Sequence, residues 1–402
     1  LLFRLDYLKL DLDHNGKRTH LTAPITGYTD PQFTPVRDAF AALWDGPEVG
    51  ASLCIYVQDQ KVVHLWGGFA DFAHTRPWTP DTLVNVYSTT KGITALALAH
   101  LAGTGAFNYQ DPVSQYWPEF AAHDKGAITI NQLLSHQAGL CAFEQDLLVA
   151  DLYDWNAIVA SLAGAKPAWE PGHRSGYHSI SWGFLAGALC RNLTGQTLGE
   201  YIQTHLCTLT GADFHLGLDP KAHPRCADLI GPNRARNQRA DLVPARQPAR
   251  AVPRSDLAIR TQENPIIRPY QDACSSAWRQ AEIPASNGHA TAEGLAKLYQ
   301  GALNQTLIAE ETRQQACIRT VSNQPDLILN QFIERSQGGF ILNPDAGFGP
   351  NQLSFGHNGA GGSSAFADPE AQVAFAYVMN QMQPERTQPR APKLAEVLYS
   401  CL

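Results

Sequence analysis

The sequence predicts an α/β protein of the α+β kind, with an antiparallel sheet flanked by helices and a mainly helical portion inserted into it. Three observations carry this reading. Strand-like runs lie near both ends of the chain, at ASLCIYVQDQKVVHLWGGFAD (51–71) and SFGHNGAGGSSAFADPEAQVAFAYVMNQ (354–381). Stretches of helical spacing fill the middle. A further helical stretch accompanies each strand region, FTPVRDAFAALWD (33–45) and RAPKLAEVLYSCL (390–402). The economical arrangement joins the two sets of strands in one sheet and packs the terminal helices on it.

Taken in order, residues 1–29 read as an N-terminal extension, irregular or at a sheet edge. A threonine before a proline opens the helix at 33–45. Residues 51–71 read as two strands around a polar turn at Asp59 and Gln60. An apolar helix follows over 88–103, then a short one in ITINQLLSHQAGL (128–140) stopped by Gly139, and another over 179–195 with a glycine stop. In TAEGLAKLYQGALN (291–304) a threonine N-cap precedes a glutamate, which marks a helix start. Residues 354–381 read as two strands around a turn at Asp368 and Pro369. The boundaries that result are 30–87 and 285–402 for the sheet portion and 88–284 for the inserted helical portion. Within the latter, 231–285 is rich in Pro and Arg, shows no period and reads as irregular.

The chain has 402 residues, a formal charge of −7 and 44 % apolar content, which describes a globular protein with ample core. An acidic chain is a poor match for nucleic acid or an anionic membrane, because counterion release needs a basic surface. No apolar run reaches membrane-spanning length. The first eighteen residues mix charges into their apolar positions and lack the core of a secretory signal, although a removed leader stays open. Eight scattered cysteines without a CxxC pair read as reduced thiols, which points to the cytoplasm.

The chemistry concentrates at NVYSTTKGITALALAHLAG (85–103). Ser88 stands where the helix begins and Lys91 follows three residues later, on the same face. The helix dipole and burial both oppose a positive charge there and push the lysine toward its neutral form. A neutral amine beside a hydroxyl can take its proton. The backbone N–H of Ser88 is placed to hold an oxyanion.

Two further motifs in order complete a resemblance: Tyr177-His178-Ser179 after WEPGHRSG, and His357-Asn358-Gly359 in FGHNGAGGSSAF. With Ser88-Thr89-Thr90-Lys91 they make the chain resemble the serine β-lactamase and penicillin-binding peptidase superfamily, most closely the family VIII carboxylesterases related to class C β-lactamases. The stretches ITINQLLSHQAGL and SNGHATAEGLAKLYQGAL add to it, and the likeness covers roughly residues 33–400. It implies the β-lactamase/DD-peptidase-like fold and catalytic roles for three residues. Ser88 is the nucleophile, Lys91 its proton acceptor, and Tyr177 the phenol that relays a proton to the leaving group and then activates water. It implies a second oxyanion N–H from Ala360, and substrate-binding roles for His357, Gly359 and Ser179, with His357 donating a hydrogen bond to substrate or to Tyr177.

Two departures matter. Ser179 stands where β-lactamases carry asparagine, and His357 where they carry lysine. A neutral histidine is a poor partner for a carboxylate, and a serine lacks the paired donor and acceptor of an amide. Both changes favour neutral acyl substrates, and the expected reaction is cleavage of short-chain carboxylic esters without metal or organic cofactor. The alternatives are a β-lactamase or D-amino-acid peptidase, an acyltransferase, and a non-catalytic binding protein on the same fold. GHNGAGGS lacks the Lys-Ser/Thr ending of a phosphate loop, and there is no HExxH or Gly-x-Ser-x-Gly. His173 and His178 read as surface or supporting residues rather than metal ligands, and Ser135 and His136 as turn-stabilising.

Overall fold

The computed structural model describes residues 25–232, 254–383 and 389–402. Nine strands form one antiparallel sheet in the order β1-β3-β2-β12-β11-β10-β9-β8-β7. They are β1 (Ile25–Thr29), β2 (Gly50–Val57), β3 (Gln60–Gly68), β7 (Arg319–Val321), β8 (Glu334–Ser336), β9 (Ile341–Leu342), β10 (Phe355–Asn358), β11 (Ser364–Asp368) and β12 (Val373–Met379). Three short strands, β4 (Val84–Asn85), β5 (Phe214–His215) and β6 (His289–Ala290), make a second sheet in the order β4-β6-β5. The two sequence regions expected to share a sheet meet at β2 and β12, paired from Val57 with Val373 to Ala51 with Met379. Every residue of β12 is buried, as a central strand covered on both faces requires. Phe366 and Phe375 stack across β11 and β12 with ring centroids 4.9 Å apart.

Among the described residues the α-helices of five residues or more are α1 (Thr34–Ala41), α2 (Thr89–Gly103), α3 (Ile130–Leu134), α4 (Trp155–Gly164), α5 (Ser181–Thr194), α6 (Leu198–Ile202), α7 (Asp256–Glu263), α8 (Ser276–Gln280), α9 (Ala292–Leu303), α10 (Glu310–Ala316) and α11 (Arg390–Tyr399). Helix α9, capped by the Thr291 hydroxyl accepting from the Gly294 N–H at 2.9 Å, lies across β2, β11 and β12, while α1 and α11 pack on each other. Helix α2 runs between β10 and β11 on one side and α5 and α6 on the other. Nearly all of its residues are buried, which explains why its sequence shows no polar face. None of the described helices is long and apolar enough to cross a membrane. All eight cysteines are free, and burial pushes the Cys141, Cys190 and Cys274 thiols up to about 11.

Several elements differ from the sequence reading. The β2–β3 turn is made by Gln58 and Asp59, with φ of 47° and 67°, and Gln60 already pairs with Val57. Two central residues at positive φ suit the right-handed twist of a tight hairpin. The Asp59 carboxylate accepts from the Gln300 and Asn304 amides at 2.6 and 2.9 Å and so docks the turn on α9 and its C-cap. The region 354–381 holds three strands, because Gly359–Ser363 turn the chain between β10 and β11. The helix expected over 128–140 is only α3: a Thr129–Gln132 capping box starts it, and His136 at φ 64° ends any helical path well before Gly139. Strands β7 to β9 are too short to show alternation. Part of 231–285 is ordered into α7 and α8, each begun by a serine that accepts a backbone N–H, Ser255 from Ala258 and Ser275 from Trp278. Residues 233–253 of that segment, and 1–24 of the expected N-terminal extension, lie outside the described residues. Residues 25–29 form the edge strand β1, paired with β3.

A buried ion pair joins the chain ends. Arg390, at the start of α11, donates to Glu48 just before β2 at 2.6 Å, and the Tyr377 hydroxyl of β12 donates to the same carboxylate oxygen at 2.6 Å. Arg390 also donates to the Gly361 carbonyl in the β10–β11 turn. Glu48→Ala should therefore lower the thermal midpoint by leaving a buried guanidinium without its carboxylate. The expected loss is about 3 kcal/mol or more in denaturant unfolding.

Candidate active site

The start of α2 is held in place from three directions. Strand β4 pairs with β6, and the Val86 N–H donates to the Gly288 carbonyl at 2.9 Å. The Asn85 side chain donates to the Ser286 carbonyl and accepts from the Trp278 indole at 2.9 and 2.6 Å. From the sheet side, the Ser363 hydroxyl donates to the Val86 carbonyl at 2.9 Å and lies 3.0 Å from the Thr89 hydroxyl. Gly359 is pressed so closely on this segment that a Cβ there would overlap the Val86 carbonyl. Tyr87, the residue before Ser88, is buried at φ 44°. A bulky side chain in the left-handed region costs of order 1–3 kcal/mol, which the surrounding bonds offset.

Ser88 itself has φ −67° and ψ −10°, and its side chain makes no cap bond to α2. Its hydroxyl is engaged elsewhere. Tyr177 donates to Ser88 Oγ at 2.6 Å, and Lys91 Nζ lies 3.2 Å from the same oxygen. Lys91 is fully buried. Burial, with the charge of Arg335 added, holds its amine well below the usual lysine value. The two N–H bonds of a neutral amine are matched by the carbonyls of Ser179 at 2.8 Å and Ala285 at 3.0 Å, which leaves its lone pair for the Ser88 proton. An amine held well below its usual value and a phenol thus converge on the Ser88 oxygen, an arrangement able to activate a nucleophile and shuttle its proton.

Tyr177 is supported from every side. Lys91 Nζ lies 4.7 Å and the Arg335 guanidinium carbon 5.5 Å from its ring centroid. The His136 and His357 rings lie at 5.3 and 6.4 Å. His136 Nδ1 accepts the His178 N–H at 2.9 Å, so its Nε2 carries the proton, while His178 joins the Leu140 N–H to the Gly176 carbonyl at 2.9 and 2.6 Å. His136 is thus in the turn-stabilising position expected of it. His178 is a buried structural residue that burial pushes down to about 4. His173 sits on the surface beside Glu170 at 3.3 Å.

The third motif differs from its expected role. His357 is buried and held well below the ordinary histidine value, chiefly by burial. Its Nδ1 lies 2.6 Å from the Asn358 carbonyl, so Nδ1 carries the proton. Nε2 is then an acceptor and cannot donate to Tyr177. Gly359 serves the close approach to Val86, and Ala360 stands exposed in the adjoining turn. Ser179 reaches Lys91 through its carbonyl rather than its hydroxyl.

Sequence reasoning missed Ala285, whose contribution is a backbone carbonyl, and the Arg335–Asp326 pair. Arg335 of β8 donates to Asp326 at 2.7 Å, with both side chains almost wholly buried. The other oxygen of Asp326 accepts the N–H groups of Tyr177, Ile328 and Leu329 at 3.0, 2.9 and 2.9 Å. Neither residue lies near a recognisable motif.

Known proteins share this architecture. The beta-lactamase family matches residues 36–399. The chain is 33 % identical over 395 residues to the esterase/beta-lactamase LipL of Mycobacterium tuberculosis, covering 92 % of this chain and 87 % of that protein. A crystal structure of a family VIII carboxylesterase superposes with a TM-score of 0.86 at 37 % identity, covering 94 % of this chain and all of that one. EstA from Arthrobacter nitroguajacolicus Rue61a gives 0.80 at 29 % identity, over 93 % of this chain and 97 % of its own.

Because the Ser88 hydroxyl caps nothing but meets Tyr177 and Lys91, Ser88→Ala should cost about 1 kcal/mol in denaturant unfolding, through those lost hydrogen bonds and not through a lost helix cap. Lys91→Met, which keeps the volume and removes the amine, should lower Ser88-dependent turnover by roughly 10²–10⁴-fold while circular dichroism stays unchanged. In the parent, activity should rise with pH through the lowered lysine value, since the neutral amine is the competent form.

Proposed function

Since the chain belongs to the beta-lactamase family and is an esterase/β-lactamase-like hydrolase, we propose that it cleaves short-chain carboxylic esters through an acyl-enzyme on Ser88. The observation that carries this reading is the convergence of Tyr177 and a buried Lys91 on Ser88 Oγ. Ser88 Oγ attacks the ester carbonyl and its proton passes to Lys91. The tetrahedral oxyanion lies against the N–H groups of Ser88 and Ala360. On collapse the C–O bond to the alcohol breaks, and Tyr177 delivers a proton to the departing alkoxide, recovering one from Lys91. Water then attacks the acyl-enzyme, giving its proton to the Tyr177–Lys91 pair, and the carboxylic acid leaves as Ser88 regains its hydrogen.

The neutral His357 favours esters over carboxylate-bearing antibiotics, because it brings no fixed cation to the substrate. A second reading, residual β-lactam hydrolysis, is favoured by the likeness to a protein named for both activities.

Intact-protein mass after brief exposure to p-nitrophenyl butyrate, and separately to a fluorophosphonate, tests the proposal. The expected result is a single adduct with either reagent, nitrophenol release, and neither in Ser88→Ala. Folded protein that forms no adduct would leave a binding protein on this fold.

A further inference from the structure

Tyr177 is packed against groups from five places: Lys91 of α2, His136 after α3, Asp326 through its own N–H, Arg335 of β8 and His357 of β10. His178 adjoins it in sequence and faces His136 at 5.4 Å. The cations among them are Lys91 and Arg335. Lys91 can shed its charge, and burial favours that. The guanidinium cannot.

Asp326 cancels that charge only in part at the tyrosine. One of its oxygens is spent on three backbone N–H groups and the other on a single guanidinium nitrogen. Arg335 Nε and Nη1 are buried and have no hydrogen-bond partner. The pair is therefore lopsided: its negative end is solvated by peptide dipoles, and its positive end stands bare near the face of the Tyr177 ring. The directions of the shifts agree. The Arg335 charge lowers Lys91, His136, His178 and His357, whereas Asp326 raises only His178 among these four.

We propose that Arg335 is a positioning residue whose fixed positive charge, held behind Tyr177 by Asp326, opposes a positive charge on Lys91. This rests on the acyl-enzyme reading above. Ser88 activation needs an amine without its proton, and water activation needs the pair to accept one. A permanent cation at the Tyr177 ring whose charge also reaches Lys91 disfavours the extra proton on the amine, so the acid limb lies at lower pH. Buried arginine does from behind what a titrating residue in the substrate-facing wall could not do without itself changing charge.

The test is the pH dependence of kcat/KM for p-nitrophenyl butyrate in the parent and three variants, with fluorophosphonate labelling of Ser88 as the control for the underlying reaction. Arg335→Met combined with Asp326→Asn removes both charges without leaving either buried alone. Its acid limb should move up by about one pH unit or more, with activity recovering at higher pH. Asp326→Asn alone keeps the guanidinium and removes its counter-charge, so its acid limb should move down. Arg335→Lys keeps the charge and should restore most of the parent profile. Opposite shifts in the first two variants are a result that loosened packing cannot produce. Coincident acid limbs, or a loss of activity uniform across pH in every variant, would overturn the proposal while Ser88 labelling in the parent still stood. A parent that neither labels nor turns over would overturn the acyl-enzyme reading itself.

Discussion

The structure is organised around a fully buried lysine whose amine is held well below its usual value. An ammonium in water is strongly solvated, and moving it into a protein interior costs several kcal/mol unless it neutralises. Lys91 has been moved there by α2, and what meets it is two backbone carbonyls, a hydroxyl and a nearby guanidinium. Each of these comes from a different part of the chain. Ala285 belongs to the segment that leads into β6, Ser179 to the loop before α5, and Arg335 to β8, the strand next to one edge of the large sheet. To hold one nitrogen in this state, the sheet and the helical portion must be docked to within hydrogen-bonding tolerance.

That docking explains the strained and crowded features around it. Tyr87 accepts a left-handed backbone so that Ser88 can begin α2 without capping it. Gly359 and Gly92 have no side chain because β10 and its turn lie directly on α2; a Cβ at Gly92 would collide with the Tyr299 hydroxyl and press on His357. The energy that permits these departures comes from the apolar burial of α2, almost complete along its length.

The legible part of the site was the part that is local in sequence. Ser88 and Lys91 are one helical turn apart, so a reader with the chain alone can place them on one face and deduce the fate of the charge. Tyr177 and the 357–359 triplet were accessible only through resemblance, because nothing in their own neighbourhoods demands catalysis. What stayed hidden was carried by backbone atoms or by long-range pairing. The carbonyls of Ser179 and Ala285 have no residue signature at all. Arg335 sits in a three-residue strand whose sequence, Glu-Arg-Ser, would ordinarily mark a surface. The fold divides in the same way. The register of β2 with β12 follows from two long apolar runs, but β7 to β9 are too brief to show a period. The one-residue displacement of the β2–β3 turn was set by Gln58 adopting a conformation more often left to glycine. Helices α7 and α8 were obscured by a Pro- and Arg-rich composition that masked their serine caps.

The pairing of Val57 with Val373 also sets an order of events at the ribosome. A growing chain carries Ser88, Lys91 and Tyr177 long before β10 to β12 have been made. Until then β2 presents an open edge, and the turn that presses on Val86 does not exist. Long-range pairing of this kind folds slowly and exposes unpaired strands while it waits. The surroundings of Ser88 are thus completed late in synthesis, while the hairpin of β2 and β3 spends that interval with an unpaired edge.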